Sequence, residues 1–259
     1  MLLALDIGNT EITTGIFTGD TLSSLWRLTT NPGRTPDEWA AAIAGFLIQA
    51  GHSPNEVRAA CLASVAPSAT AAVADGIAKA TGTRALAVDA TSVLPVRLDV
   101  DEPMSVGADR IVNVLAAVER WRTDVIVVDF GTATTFDCIT ADGRFIGGVI
   151  MPGILTSADQ LTRRAARLPA TELRAPPRVI GRRTEDCIRA GVIFGSADAV
   201  DGVVHRIVAE WPGGARPKVV ATGGLAALVV PYCRTIEGIE RDLTLQGLRL
   251  AARHLGLTW

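Results

Sequence analysis

Lysine is nearly missing from this chain. Only Lys79 and Lys218 occur among 259 residues, and neither follows a glycine. That excludes a P-loop, whose Gly-Lys-Ser/Thr ending sets an ammonium group beside phosphate. The three histidines, His52, His205 and His254, lie far apart and form no ligand pair, so a histidine-built metal site is not expected. The four cysteines, Cys61, Cys138, Cys187 and Cys233, never stand as Cys-x-x-Cys and read as reduced structural thiols. Aromatic residues make up 5%, with Tyr232 the single tyrosine, and no basic segment carries interleaved aromatics. A nucleic-acid partner is therefore not expected. The longest apolar runs, 39-WAAAIAGFLIQA-50 and 219-VVATGGLAALVVPYC-233, are too short to span a bilayer and are broken by glycine or polar residues. Asp6 interrupts the short apolar run at the N-terminus, and no charged leader precedes it, unlike a signal peptide. The expectation is a cytoplasmic protein without a membrane partner.

What remains is ample for a core. Hydrophobic residues make up 48% and charged residues 20%, with a net charge of −2. The length allows one large domain or two modest ones. Residues 2–7 read as a buried strand, 11–17 and 21–29 as two more, joined at Gly19-Asp20 by a hairpin signal. Thr35, Pro36 and Glu38 make a capping box that opens a helix to about Ala50, ended by Gly51. Strands follow at 59–65, 84–88 and 95–98, with helices at 68–81 and from Gly107 to about Arg122. The opening pattern then restarts, with strands at 124–129, 134–140 and 144–150. Helical segments near 153–165, 184–211 and 241–256 and a strand at 218–222 complete the chain.

The restart is a repeat. The stretch 125-VIVVDFGTATTFDCITADGRFIGG-148 overlays 3-LALDIGNTEITTGIFTGDTLSSLW-26 without a gap, setting Asp129 on Asp6, Gly131 on Gly8 and Asp142-Gly143 on Gly19-Asp20. Two related α/β lobes are expected, over residues 1–118 and 119–259. Each copy ends a strand in a carboxylate, then turns through glycine into small hydroxyl or amide residues: Asp6-Ile7-Gly8-Asn9-Thr10 and Asp129-Phe130-Gly131-Thr132-Ala133-Thr134. A glycine turn lets main-chain N–H groups approach an anion, and hydroxyls add donors. The carboxylate repels phosphate but can hold a cation that bridges phosphate oxygens. Two such hairpins facing a common cleft would grip a triphosphate from both sides.

These turns resemble those of the acetate and sugar kinase, heat-shock ATPase and actin superfamily. Within it the chain is similar to the type III pantothenate kinases. The matching segments are 6-DIGNT-10, 107-GADR-110, 129-DFGTATT-135, 147-GGVIMPG-153, 181-GRRTEDCIRAG-191, 222-TGG-224 and 243-LTLQGL-248. The resemblance implies an α/β fold of two duplicated actin-like (ribonuclease H-like) lobes with a central cleft. It implies transfer of phosphate from ATP to pantothenate, the first step of coenzyme A synthesis, by a homodimer.

Residue by residue, the resemblance implies that Asp6 orients Mg²⁺ through water, and that Ile7, Gly8, Asn9, Thr10, Glu11, Ile12 and Thr13 border the ATP phosphates. Thr132 makes the second phosphate contact, and Gly223 and Gly224 flank the adenosine. Asp129 takes a monovalent cation, K⁺ or NH₄⁺. Asp109 is the general base, and Val100, Gly107, Ala108, Arg110 and Thr184 join it around pantothenate. An aspartate is a weak base, with an ordinary pKa of about 3.9, and the helix start at Asp109 is expected to keep it ionised. A weak base suffices, because the hydroxyl proton leaves late in a loose phosphoryl transfer. Arg110 and the helix start also suit the carboxylate of pantothenate. One departure stands out: the family usually has tyrosine where this chain has Val100. Two other readings keep the fold, a kinase of another small acid or sugar and a catalytically weak relative acting as a regulatory binding protein.

Overall fold

The computed structural model describes residues 1–259. Its first strand, Leu2–Ile7 (β1), is central to a sheet. Glu11–Thr18 (β2) pairs antiparallel with it and Thr21–Thr29 (β3) pairs antiparallel with β2. After helix Pro36–Gln49 (α1), strand Ala59–Ser64 (β4) returns parallel to β1. Helix Pro67–Thr81 (α2) and strand Ala85–Val88 (β5) follow, completing the order β3-β2-β1-β4-β5. A short strand, Arg97–Leu98 (β6), and helix Ala108–Trp121 (α3) come next.

The capping box opens α1 as anticipated. The Glu38 N–H donates to Thr35 Oγ1 at 3.3 Å, and the Thr35 N–H donates to Glu38 Oε2 at 2.8 Å. Side chains alternate across a strand, so the two faces of β1 feed two separate cores. Leu3, Leu5 and Ile7 meet Trp39, Ile43 and Leu47 of α1 and Val73 and Ile77 of α2. Leu2 and Ala4 face the opposite way, towards Ile111, Val112 and Leu115 of α3. Each of these large apolar side chains contributes about 1.5–3 kcal/mol by leaving water.

The second sheet repeats the first. Strands Val125–Phe130 (β7), Ala133–Ile139 (β8) and Arg144–Pro152 (β9) form an antiparallel meander. Helices Ile154–Arg164 (α4) and Thr184–Ala209 (α5) lead to Lys218–Thr222 (β10), which is parallel to β7. The short helix Ala226–Val229 (α6) and strand Gly238–Ile239 (β11) follow, and the strands that residues 121–242 contribute run in the order β11-β10-β7-β8-β9. Strand for strand this is the first sheet again, with β7 in the place of β1 and β10 in that of β4. Ile126, Val128 and Phe130 pack on Ile188, Ile193, Ala197 and Val200 of α5 and on Ala226 and Val229 of α6.

Two expectations need correcting. The overlay is not gap-free. Ile7 lies opposite Ile12, but Phe130 lies opposite Thr134, so the second Asp-x-Gly turn is one residue shorter. The residue returns at the next hairpin. There Gly19-Asp20 are matched by three residues, 141–143, because the Thr140 N–H bonds to the Arg144 carbonyl at 2.9 Å. Nor does the chain divide at one point. The compact units are residues 1–120 with 243–259, and residues 121–242. The last helix, Leu243–His254 (α7), lays Leu245, Leu248, Ala251 and Ala252 into the core of the first unit, against Leu2, Ala4 and Val112. An open sheet needs helices on both faces, and α3 alone does not cover the second face of β1. No helix is long and apolar enough to cross a membrane.

Candidate active site

In the first unit, β1 delivers Asp6 to the carboxyl end of its sheet, where open α/β sheets bind ligands. The turn beyond it is closed by the Gly8 N–H, which donates to the Glu11 carbonyl at 3.0 Å. A Cβ on Gly8 would stand 2.9 Å from that same oxygen, so glycine is required. Thr30, at the end of β3, holds the turn from outside. Its hydroxyl donates to the Gly8 carbonyl at 2.7 Å and its N–H to that of Thr10 at 2.9 Å. Asn9, Thr10 and Glu11 are exposed, and Glu11 pairs with Arg27 across the strands at 3.1 Å. Ile7 and Ile12 are fully buried in the core, so only their main chain borders the turn. Thr13 lies opposite Asp6 in the strand register.

Asp109 is brought to the same sheet edge. The Val65 N–H, just past β4, donates to the Ile7 carbonyl at 3.0 Å. Gly107 packs on Val65, where an added Cβ would be 3.2 Å from Val65 Cγ1. That Cβ would also lie 2.5 Å from Asp109 Oδ1, so a bare glycine leaves the carboxylate room to fold back over its own helix start. There Asp109 Oδ1 accepts the Arg110 N–H at 2.8 Å. Ala108 is buried, while Arg110 and Val100 are half-buried. Burial pushes the Asp109 carboxyl above the usual range, and outweighs the Arg110 N–H and the guanidinium charge of Arg110, which pull the other way. Desolvation wins, and it makes Asp109 a better base than a solvated aspartate.

In the second unit, β7 brings Asp129 alongside Thr222 of β10. Here the turn is gripped between two glycines. Gly223 has φ of 92°, and a Cβ there would lie 2.4 Å from Asp129 Oδ1 and 2.6 Å from the Phe130 nitrogen. Gly153, before α4, would place a Cβ 2.1 Å from the Thr132 carbonyl oxygen. The Thr156 hydroxyl donates to that oxygen at 2.8 Å, and the Leu225 N–H donates to the Phe130 carbonyl at 3.2 Å. Thr132 itself is exposed. Gly224 is exposed too, with nothing near its missing Cβ. Thr184 stands elsewhere, exposed as the first residue of α5.

The structure therefore gathers the sequence-derived residues into two groups. Asp6 to Thr13 and Gly107 to Arg110 share the edge of the first sheet. Asp129, Thr132, Gly223 and Gly224 share that of the second. Thr30, Gly153, Thr156 and Leu225 were not singled out from sequence as site residues. Gly153 ends the segment 147-GGVIMPG-153, which could have pointed to it. Nothing near Thr30 could.

The doubled strand order, with an acidic-x-Gly turn at the same place in each copy, defines the actin-like fold shared by sugar kinases and dehydratase activators. One solved example is the activator of 2-hydroxyisocaproyl-CoA dehydratase from Clostridium difficile with bound ADPNP. It matches with a TM-score of 0.54 at 12% identity, over 98% of this chain and 93% of the other. Within that class, the chain belongs to the type III pantothenate kinase family, whose model matches residues 2–206. The type III pantothenate kinase of Thermomicrobium roseum is 45% identical over 97% of this chain and 96% of its own length. That of Anaeromyxobacter sp. (strain K) is 42% identical over 96% and 98%.

Proposed function

We propose that the protein phosphorylates pantothenate with ATP, giving 4′-phosphopantothenate and ADP and so opening coenzyme A synthesis, in the cytoplasm and as a homodimer. The observation that carries the reading is Asp109, a carboxylate made more basic by burial and fixed at the same sheet edge as the Asp6 turn. Family membership supplies the donor and the acceptor.

In this reading the acceptor oxygen attacks the γ-phosphorus while the bond from that phosphorus to the ADP oxygen breaks. Asp109 Oδ takes the hydroxyl proton. Gly107, Ala108, Arg110 and Val100 border the acceptor, and Arg110 faces its carboxylate. Each turn, Gly8-Asn9-Thr10 in the first unit and Gly131-Thr132 in the second, offers main-chain and hydroxyl donors suited to phosphate. Ile7, Glu11, Ile12 and Thr13 flank the first turn, and Gly223 and Gly224 flank the adenosine.

No three His, Cys, Asp or Glu side chains converge where they could hold a metal ion between them. Mg²⁺ keeps most of its waters and accepts one or two carboxylates together with phosphate oxygens. Asp6 would hold it through water, and Asp129 would hold K⁺ or NH₄⁺. Bound there, these ions would supply positive charge against the phosphate oxygens.

A coupled ADP-release assay tests the reading, run with pantothenate, glucose and acetate in K⁺, NH₄⁺ and Na⁺ buffers. Turnover with pantothenate that needs K⁺ or NH₄⁺ is expected. Asp109→Asn should keep nucleotide binding and lose turnover by a hundredfold or more, about 3 kcal/mol of transition-state stabilisation. Wild-type turnover in that variant would remove Asp109 from its role. Equal rates in Na⁺ would remove the cation from Asp129. A folded wild-type protein that turns over no acceptor would favour the regulatory reading, in which Val100 replaces a polar acceptor contact.

A further inference from the structure

Residues 163–183 hold seven arginines, at positions 163, 164, 167, 174, 178, 182 and 183, against one acidic residue, Glu172. The segment carries +6 in a chain of net −2, so the remaining residues together carry −8. All seven arginines are exposed, and none of their guanidinium groups makes a salt bridge or side-chain hydrogen bond. Arg189, close behind them, contrasts: it is buried and paired with Asp186 at 3.2 Å. An exposed arginine stretch that is not spent on internal pairing projects its field into solvent.

The position of the stretch gives the field a target. Gly153 and Thr156 hold the Thr132 turn at the start of α4, and Arg163 and Arg164 end that helix. Eleven helical residues span about 16 Å. At about 0.15 M salt the Debye length is about 8 Å, so a single charge that far away is largely screened, and only several acting together matter. At about 0.01 M it is about 30 Å, which reaches past the turn.

We propose that this arginine belt captures ATP electrostatically, raising its local concentration at the Thr132 turn without touching it in the bound complex. The inference rests on the phosphotransfer reading above. A small polyanion fits better than nucleic acid, because residues 163–183 contain no aromatic side chain on which a base could stack.

The test compares wild type with the quadruple variant Arg163→Gln, Arg164→Gln, Arg167→Gln, Arg174→Gln, with circular dichroism to show that both are folded. Steady-state kinetics with ATP as the varied substrate would run from about 0.01 to about 0.3 M ionic strength. The expected result is a kcat/KM for ATP reduced about three- to tenfold at the lowest salt. The two proteins should converge at the highest salt, with kcat at saturating ATP unchanged throughout. Equal kcat/KM at low salt would overturn the proposal. So would a deficit that persists undiminished at high salt, since that marks a direct contact rather than a field. Absence of wild-type turnover would instead overturn the phosphotransfer reading itself, so the two failures are distinguishable.

Discussion

Gly223 and Gly224 are neighbours in sequence, yet the structure predicts opposite consequences for the same substitution. In Gly223→Ala the new methyl would sit 2.4 Å from Asp129 Oδ1 and 2.6 and 2.7 Å from the Phe130 nitrogen and carbonyl carbon. The carboxylate can swing away; the Phe130 main chain, locked in β7, cannot. The residue also has φ of 92°, where an L side chain is strained. Left-handed backbone costs about 1–2 kcal/mol. Forcing a methyl into packed surroundings costs about 1–3 kcal/mol more. The sum is roughly 2–5 kcal/mol, or at least about 4 °C in Tm at about 2–4 °C per kcal/mol for a protein of this size class. Gly224 has no positive φ and open space around it, so Gly224→Ala should change Tm by less than about 2 °C. Differential scanning calorimetry on both variants measures this. On the proposal that Asp129 holds K⁺, cation-dependent turnover adds a second readout, because a displaced Asp129 should raise the K⁺ concentration needed for half-maximal rate in Gly223→Ala alone. Equal, small Tm changes in the two variants would refute the assignment of Gly223 as the wedge-free contact beneath Asp129.

Two further outcomes follow from the same geometry. Asp109→Asn should be more stable than wild type at neutral pH while losing turnover. The folded pKa of Asp109 lies above its unfolded value, so its burial costs nothing below about pH 3.9, and the cost grows as pH rises towards the folded pKa. The stability gain of the variant should therefore be absent near pH 3.5 and present at pH 7; urea denaturation at the two pH values checks the sign. Gly247→Ala would set a Cβ 2.0 Å from the Val112 carbonyl oxygen, where α7 crosses α3 and the Thr244 hydroxyl donates to Asn113 at 2.9 Å. A loss of about 1–3 kcal/mol or more is expected, with the start of α3 shifting and kcat falling more than KM rises; thermal unfolding and steady-state kinetics measure the two parts.

Local signals made most of the elements legible. The Thr35-Pro36-Glu38 box placed the start of α1 because capping is decided within four residues. The near-continuous apolar runs at 2–7 and 125–130 marked central strands because both faces of such strands are buried. Short elements escaped. Ala226–Val229 and Gly238–Ile239 are too brief for a period to show, and they exist because β10 and α5 pack on them. The gap-free overlay failed at one residue for a related reason. Sequence alignment matches letters, whereas strand register is set by hydrogen bonds, and a residue lost in one turn was regained in the next.

By itself the sequence determined the strand-turn-strand repeat, the glycine and carboxylate content of both turns, and the family. All of these reside in residues close together along the chain. Only the tertiary structure decided that α7 belongs with the first unit, that Thr156 and two glycines clamp the Thr132 turn, and that Asp109 is desolvated. Those depend on atoms brought together from far along the chain. Burial and close approach are properties of the packed interior, and no window of sequence contains them.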